Sequence, residues 1–204
     1  MQFINISPSS LQPPAGLIVC LHGWGANAED VASLSPFLNL PDYQYIFPNA
    51  PFPYPYSPLG RAWYDLRSEN MYQGLPESRQ TLTNWLQSLE ASTGVPLSRT
   101  ILSGFSQGGA MTLDVGLNLP LAGLVSMSGY LHHDAVRVNQ SNFPPTLIMH
   151  GRNDQVVPLL AALKARQTLE SLGVAVDYQE FDMGHEISPE MLGSLRNFVV
   201  TTIG

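Results

Sequence analysis

The residue with the most unusual chemical setting is Ser106, which lies in the stretch GFSQGG between Gly104 and Gly109. Glycine loses much backbone entropy on folding and packs no side chain, so a serine among glycines at this spacing needs a geometric reason. The pattern G-x-S-x-G is typical of a nucleophile elbow, a strained strand-to-helix turn in which neighbouring backbones pass too closely for side chains. Ser106 is therefore predicted to be a nucleophile, on condition that a strand precedes it and a helix follows it.

A serine hydroxyl is a weak nucleophile at neutral pH, so it needs a general base and a carboxylate that orients that base. Four histidines follow Ser106 in the chain. His185 lies in FDMGHEIS, between a predicted strand and a predicted helix, where a short loop can lean over the elbow. His150 ends a predicted strand and is interpreted as structural, whereas His132 and His133 are interpreted as two solvated loop residues.

Two aspartates compete for the role of the orienting carboxylate. Asp154 lies in HGRNDQVVP directly after a predicted strand, and Asp182 stands three residues before His185 near another strand end. Asp177 falls inside an alternating strand and is expected to face solvent. The residues themselves leave the choice between Asp154 and Asp182 open.

The elements that must position these side chains alternate between strand and helix. Apolar runs bounded by proline or glycine predict strands over 16–21, 43–47, 100–103, 121–127, 146–150 and 174–181. Helical spacing and caps predict helices after Asn27, through 82–89 to a stop at Gly94, over 107–117, over 158–172 and from Ser188. This alternation predicts a single α/β domain over 1–204, with a mostly parallel sheet, helices on both faces and no separate cap domain. A strand then precedes Ser106 and a helix follows it, as the elbow requires.

Composition argues against several other classes of protein. Of the 204 residues, 44% are apolar and 12% are charged, which indicates a globular chain with a large core. The net charge of −7 argues against a nucleic-acid partner. The single cysteine, Cys20, excludes an intrachain disulfide. No apolar run suits a signal peptide or a membrane span, so a cytoplasmic location is expected.

Seven segments of the chain occur in the order found in a known family: LHGWGAN, FPNAP, WYD, GFSQGGAM, LVSMSGYL, HGRNDQVVP and MGHEI. On these segments the chain resembles the acyl-protein thioesterase and carboxylesterase family of α/β-hydrolases, also called the phospholipase/carboxylesterase family. The resemblance implies that Ser106 is the nucleophile, His185 the base and Asp154 the acid. It implies no metal or organic cofactor.

The negative charge of an acyl-transfer intermediate needs two backbone N–H donors, which form an oxyanion hole. Gln107, directly after the nucleophile, supplies one donor at the start of a predicted helix, and the resemblance points to Trp24 for the other. Members of the family commonly have leucine, glycine and aspartate after HG, where this chain has Trp24, Gly25 and Ala26. A backbone donor tolerates this change, although the bulk of Trp24 is expected to reshape the acyl pocket.

The segment PFPYPYSPLG lies where members of the family vary. Its aromatic residues Phe52, Tyr54 and Tyr56 are interpreted either as a cover over the core or as an apolar wall for an acyl chain. The chain is predicted to hydrolyse a small ester, a thioester or an acylated protein. A lysophospholipase, a peptidase on the same fold and a non-catalytic binding protein remain alternatives, and the apolar loop leaves a homodimer open.

Overall fold

The computed structural model describes residues 1–10, 12–134 and 142–204, and seven strands in it form one sheet. In chain order, these strands and the two strands of a small separate hairpin are β1 Phe3–Ile6, β2 Gly16–Leu21, β3 Tyr43–Pro48, β4 Phe52–Pro53, β5 Arg61–Ala62, β6 Thr100–Phe105, β7 Gly123–Met127, β8 Thr146–Gly151 and β9 Val176–Phe181. The sheet has the order β1-β3-β2-β6-β7-β8-β9. Only β1 runs antiparallel to its neighbour within this sheet, which confirms the predicted mostly parallel arrangement.

Helices connect the strands at the predicted places, and one short helix, α2 Ser35–Leu38, was not predicted. Within the described ranges they are α1 Ala28–Ala32, α2 Ser35–Leu38, α3 Leu75–Thr93, α4 Gln107–Gly116, α5 Leu159–Ser171 and α6 Pro189–Ile203. Asn27 caps α1 as predicted: its side chain accepts hydrogen bonds from the N–H groups of Glu29 and Asp30, and the Asp30 carboxylate accepts one from the Asn27 N–H. This reciprocal arrangement satisfies donors that a helix start leaves free.

Two apolar cores flank the sheet, because successive side chains of a strand point to opposite faces. All six residues of β2 are buried, with Leu17 and Val19 in one core and Ile18 and Cys20 in the other. The first core is closed by α3, α4 and α5, and the second by α1, α2 and α6. Helices on both faces are therefore confirmed, and no separate cap is seen in the described ranges.

Sequence analysis missed β1 and the hairpin formed by β4 and β5. Strand β1 lies at the edge of the sheet with every residue partly or fully exposed, so its sequence FINI carries no buried run. The hairpin pairs Phe52 with Ala62 and Pro53 with Arg61, and two-residue strands beside prolines leave no periodic signal. Among the described helices, none combines the length and the apolar character that crossing a membrane would need.

Candidate active site

Ser106 occupies a strained turn between β6 and α4. Its φ is 55° and its ψ is −117°, a region that residues with a side chain rarely adopt and that is typically found at functional sites. A Cβ atom on Gly104 would collide with the carbonyl of Gly108, and one on Gly108 would collide with the carbonyl of Leu21. These two glycines let β6, α4 and the end of β2 pass against one another, which explains why glycines surround the serine.

A continuous hydrogen-bonded path joins Ser106 to an aspartate through His185. The Nε2 atom of His185 lies 3.0 Å from the Oγ atom of Ser106, and Nδ1 lies 2.7 Å from the Oδ2 atom of Asp154. An ionised carboxylate only accepts hydrogen bonds, so Nδ1 carries the proton. The Nε2 atom is then free to accept the hydroxyl proton of Ser106, which is the tautomer that a general base needs.

Asp154 lies in the loop after β8 and is held on both carboxylate oxygens. Its Oδ1 atom accepts hydrogen bonds of 2.8 Å from the backbone N–H groups of Val156 and Val157. Burial alone would raise the pKa of Asp154, but the hydrogen bonds from His185, Val157 and Val156 outweigh burial and keep the pKa below its ordinary value. The carboxylate therefore stays ionised beside an imidazole whose side chain is 17% exposed.

The other acid candidates lie apart from this path, whereas His150 lies beside it, with its Nε2 atom 3.5 Å from the Oδ2 atom of Asp154. The carboxylate of Asp182 accepts a hydrogen bond of 2.9 Å from the side chain of Asn153, and Asp177 is exposed as predicted. The Nε2 atom of His150 donates to the carbonyl of Val157 at 2.8 Å, a bond to the loop that agrees with its structural interpretation. The structure thus brings Asp154, and not Asp182, to the Nδ1 atom of His185.

The prediction that His132 is solvated is wrong, while that for His133 is confirmed. The side chain of His133 is 97% exposed and that of His132 is 3% exposed. In the ring of His132, the Nε2 atom lies 3.1 Å from the hydroxyl of Tyr64, and the Nδ1 atom lies 3.2 Å from the carboxylate of Asp114. Both partners are distant in sequence, so the local loop pattern carried no sign of this burial.

The two predicted oxyanion donors lie on segments that meet beside the nucleophile. Gln107 is the first residue of α4, and Trp24 follows β2. A Cβ atom built on Gly23 would lie 3.5 Å from the Cβ atom of Ser106, so the loop that carries Trp24 runs next to the elbow. Their role as donors stays a prediction.

The loop that carries Trp24 begins at a buried histidine, His22. Its Nε2 atom accepts a hydrogen bond of 3.0 Å from the backbone N–H of Ala50, so Nδ1 carries the proton and donates to the Gly23 carbonyl at 2.7 Å. Burial lowers the pKa of His22 to about 4, so the ring is neutral and fixed in one tautomer at neutral pH. His22 is therefore a support of the loop.

The three aromatic residues predicted to contact an acyl chain surround Trp24 in different ways. The rings of Tyr54 and Tyr56 pack edge-on against Trp24, with centroids 5.0 and 6.2 Å from the indole. Phe52 and Trp24 share the lining of a cavity of about 410 Å³. Tyr56 is 68% exposed. Their contact with a substrate stays a prediction.

Sequence analysis gave Gln107 only a backbone role and gave Trp63 none. The side-chain amide of Gln107 accepts a hydrogen bond of 2.9 Å from the backbone N–H of Trp63 and donates one of 2.8 Å to the backbone carbonyl of Tyr64. The sequence held one signal for these contacts. The segment WYD, which contains Trp63 and Tyr64, is one of the seven ordered segments, but no function had been assigned to it.

A mostly parallel sheet flanked by helices, with a serine in a strained turn after a central strand, is the architecture of an α/β-hydrolase. The family model described as phospholipase/carboxylesterase matches residues 5–203, and the chain belongs to this family. The chain is accordingly a carboxylic ester hydrolase.

Individual relatives agree with this assignment. The chain is 28% identical to acyl-protein thioesterase 1 of Gibberella zeae, over 87% of this chain and 83% of that protein. It is 25% identical to lysophospholipase-like protein 1 of Mus musculus, over 91% of this chain and 86% of that protein. The crystal structure of esterase PE8 superposes with a TM-score of 0.90 at 30% identity, covering 98% of this chain and 97% of that one.

Proposed function

We propose that this chain hydrolyses carboxylic esters or thioesters through a covalent acyl-enzyme on Ser106. The observation that carries the proposal is the hydrogen-bonded path from Asp154 through His185 to Ser106, in which Nε2 of the imidazole faces the hydroxyl. The strained backbone of Ser106 adds support. In a nucleophile elbow, strain of this kind holds the serine in a sharp turn between the strand and the helix, where its hydroxyl is accessible.

In the first half of the reaction, the Oγ atom of Ser106 attacks the acyl carbon while Nε2 of His185 takes the hydroxyl proton. The negative charge that develops on the acyl oxygen is stabilised by the backbone N–H groups of Trp24 and Gln107. His185 then gives its proton to the departing alcohol or thiol, and the acyl group remains on Ser106.

In the second half, a water molecule attacks the acyl carbon and gives its proton to His185. The bond between the acyl carbon and Oγ breaks, the proton returns to Ser106, and the carboxylic acid leaves. Asp154 stays ionised throughout and stabilises the imidazolium that forms twice in each cycle. Its lowered pKa suits this role, because the carboxylate remains charged at neutral pH.

The acyl group of the substrate is proposed to contact Phe52, Tyr54 and Tyr56. Support comes from the ring contacts of Tyr54 and Tyr56 with Trp24, one of the proposed oxyanion donors, and from the cavity that Phe52 shares with Trp24. A small ester, a thioester or an acylated protein in the cytoplasm would suit this site. A lysophospholipase activity is a second candidate, since one relative is named lysophospholipase-like protein 1 and the same chemistry cleaves a lipid ester.

The test compares wild type with Ser106→Ala on three substrate series: 4-nitrophenyl esters, acyl-coenzyme A thioesters and lysophosphatidylcholines, each from short to long acyl chains. Wild type should hydrolyse one series and be labelled by a fluorophosphonate, and Ser106→Ala should do neither. A preference for the lysophospholipids selects the second candidate. Absence of both turnover and labelling in folded wild type would reject the proposed mechanism.

A further inference from the structure

Trp63 is a fully buried tryptophan that touches both segments of the proposed oxyanion hole. Its indole N–H donates a hydrogen bond of 3.0 Å to the carbonyl of His22, and its backbone N–H donates one of 2.9 Å to the Oε1 atom of Gln107. We infer that Trp63 is a positioning residue that sets the spacing between the N–H groups of Trp24 and Gln107. This inference rests on the proposed function.

The first segment, His22 to Ala26, is held against β5 and the residue that follows it. Arg61 in β5 exchanges two backbone hydrogen bonds of 2.9 Å with this loop, one to Gly25 and one to Ala26. The indole of Trp63 bonds to the other end of the loop, at His22. The backbone N–H of Trp24 lies between these two attachments, so its position depends on both.

The second segment begins at Gln107, whose side chain is fully buried. Its amide oxygen accepts a hydrogen bond from the backbone N–H of Trp63, and its amide nitrogen donates one to the backbone carbonyl of Tyr64. These two bonds fix the plane of the amide. Trp63 is held in turn from α3, where the hydroxyl of Ser78 donates to its carbonyl. The start of α4 is thereby tied to the same residue as the loop.

This shared attachment matters because the two proposed donors come from separate parts of the chain. An oxyanion hole acts through donors that already point at the place where charge develops, and it loses its effect when they must reorganise. Removing the indole N–H leaves the His22 carbonyl without this partner in a buried position, which favours a shift of the loop. Substrate binding through the acyl group should change little, since Trp63 is fully buried and is not one of the residues proposed to contact that group.

The experiment removes the indole N–H in two ways. Trp63→Phe deletes it with part of the ring, and replacing Trp63 by benzothienylalanine exchanges only the N–H for sulfur. Trp85→Phe is the matched control, because Trp85 packs against the same apolar core from α3 and contacts the ring of Phe3, at 5.8 Å between centroids. For each protein, kcat and KM on a 4-nitrophenyl ester are measured together with the inhibition constant of an alkyl trifluoromethyl ketone.

The ketone forms a tetrahedral adduct with a catalytic serine and places a negative oxygen in the oxyanion hole. Because a misplacement of about 1 Å costs about a hundredfold in rate, we expect both changes at Trp63 to lower kcat by about tenfold to a hundredfold. KM should stay within about threefold, and the ketone should bind more weakly by the same factor as kcat falls, as differential binding of the transition state requires. Trp85→Phe should leave all three quantities within about twofold, as expected of a change away from the site.

A folded benzothienylalanine protein with wild-type kcat and ketone affinity would overturn the inference, as would a loss confined to KM or to thermal stability. This protein decides the matter if Trp63→Phe fails to fold, since its side chain keeps the shape of the indole. Failure of the proposed function looks different, because wild type itself would then show no turnover and no fluorophosphonate labelling.

Discussion

Two histidine–aspartate pairs, each next to a hydroxyl group, occur in the described part of the chain. In the elbow pair, Asp154 and His185 face Ser106, with distances of 2.7 Å and 3.0 Å. In the buried pair, Asp114 and His132 face Tyr64, with distances of 3.2 Å and 3.1 Å. The two groups share the same functional groups in the same order, so their differences show what a reactive site needs beyond its residue types.

The first difference concerns access and the acidity of the hydroxyl. The side chain of His185 is 17% exposed, whereas that of His132 is 3% exposed. Tyr64 is fully buried, and burial together with the neighbouring Tyr130 raises its pKa well above the ordinary value. A phenolate would therefore be disfavoured at Tyr64, and no substrate could reach it without displacing its neighbours.

The second difference concerns the partners of each carboxylate. Asp154 is held by backbone N–H groups and keeps its full charge for the imidazole. Asp114 accepts a hydrogen bond of 2.7 Å from Arg79, which also pairs with Asp134. A carboxylate already neutralised by a guanidinium stabilises an imidazolium less, so we interpret the buried pair as a structural link between α3, α4 and the loop after β7.

The largest effect that distinguishes the two groups should follow removal of each hydroxyl. Ser106→Ala should abolish fluorophosphonate labelling and lower turnover by about a millionfold, as in a serine hydrolase that loses its nucleophile. Tyr64→Phe should leave turnover within about tenfold, because it removes only the buried hydrogen bonds of this hydroxyl to Tyr130 and His132. Turnover of an activated ester measures both, with circular dichroism as the folding control. If Ser106→Ala kept a tenth of wild-type activity, the nucleophile would have to be a residue other than Ser106.

The next effect separates the two carboxylates. Asp154→Asn should lower kcat by about a thousandfold or more near neutral pH, because the imidazole then holds the wrong tautomer. Asp114→Asn should cost less than about tenfold in kcat but about 1–3 kcal/mol in the free energy of unfolding, since Arg79 loses a buried charged partner. Urea denaturation and ester turnover on both proteins test this. The reverse ranking of the two kcat values in folded proteins would identify the buried pair as the reactive one.

A smaller effect should distinguish two aromatic residues, Phe52 in the cavity it shares with Trp24 and Tyr72 in the buried group. Phe52→Ala should lower kcat/KM for longer acyl chains more than for acetyl esters, by about fourfold for each methylene that loses its apolar contact. Tyr72→Ala is the control, because the ring of Tyr72 packs against Tyr64 and His132 in the buried group. It should affect all chain lengths equally. If Phe52→Ala lowered kcat/KM equally for all acyl chain lengths, Phe52 would cover the core and would not contact the acyl chain.

The smallest effect concerns the competing acid beside the elbow pair. Asp182→Asn should lower kcat by less than about tenfold, since an asparagine oxygen can still accept the hydrogen bond from Asn153. Asp154→Asn in the same assay is the reference. If Asp182→Asn lost as much activity as the reference while remaining folded, Asp182 would have to be included in the path to His185.

The sequence by itself determined the features that depend on neighbouring residues. The apolar run of β2, the capping box at Asn27 and the turn at Ser106 all follow from residues within a few positions of one another. Apart from β1, the β4–β5 hairpin and α2, the order of strands and helices followed from such local patterns, and with it the α/β class. Residue type and position after a strand were enough to select Ser106 and His185.

Tertiary structure alone decided which distant residues meet. Asp154 stands 31 positions from His185, and Tyr64 stands 68 positions from His132. No local pattern encodes these pairings, because they depend on which strand ends lie side by side and on how α3 and α4 pack over them. The same reason hid the burial of His132 and the attachment of Trp63 to both His22 and Gln107. In each case the partner is selected by the packing of the sheet and its helices, which brings remote backbone and side-chain groups within hydrogen-bonding distance.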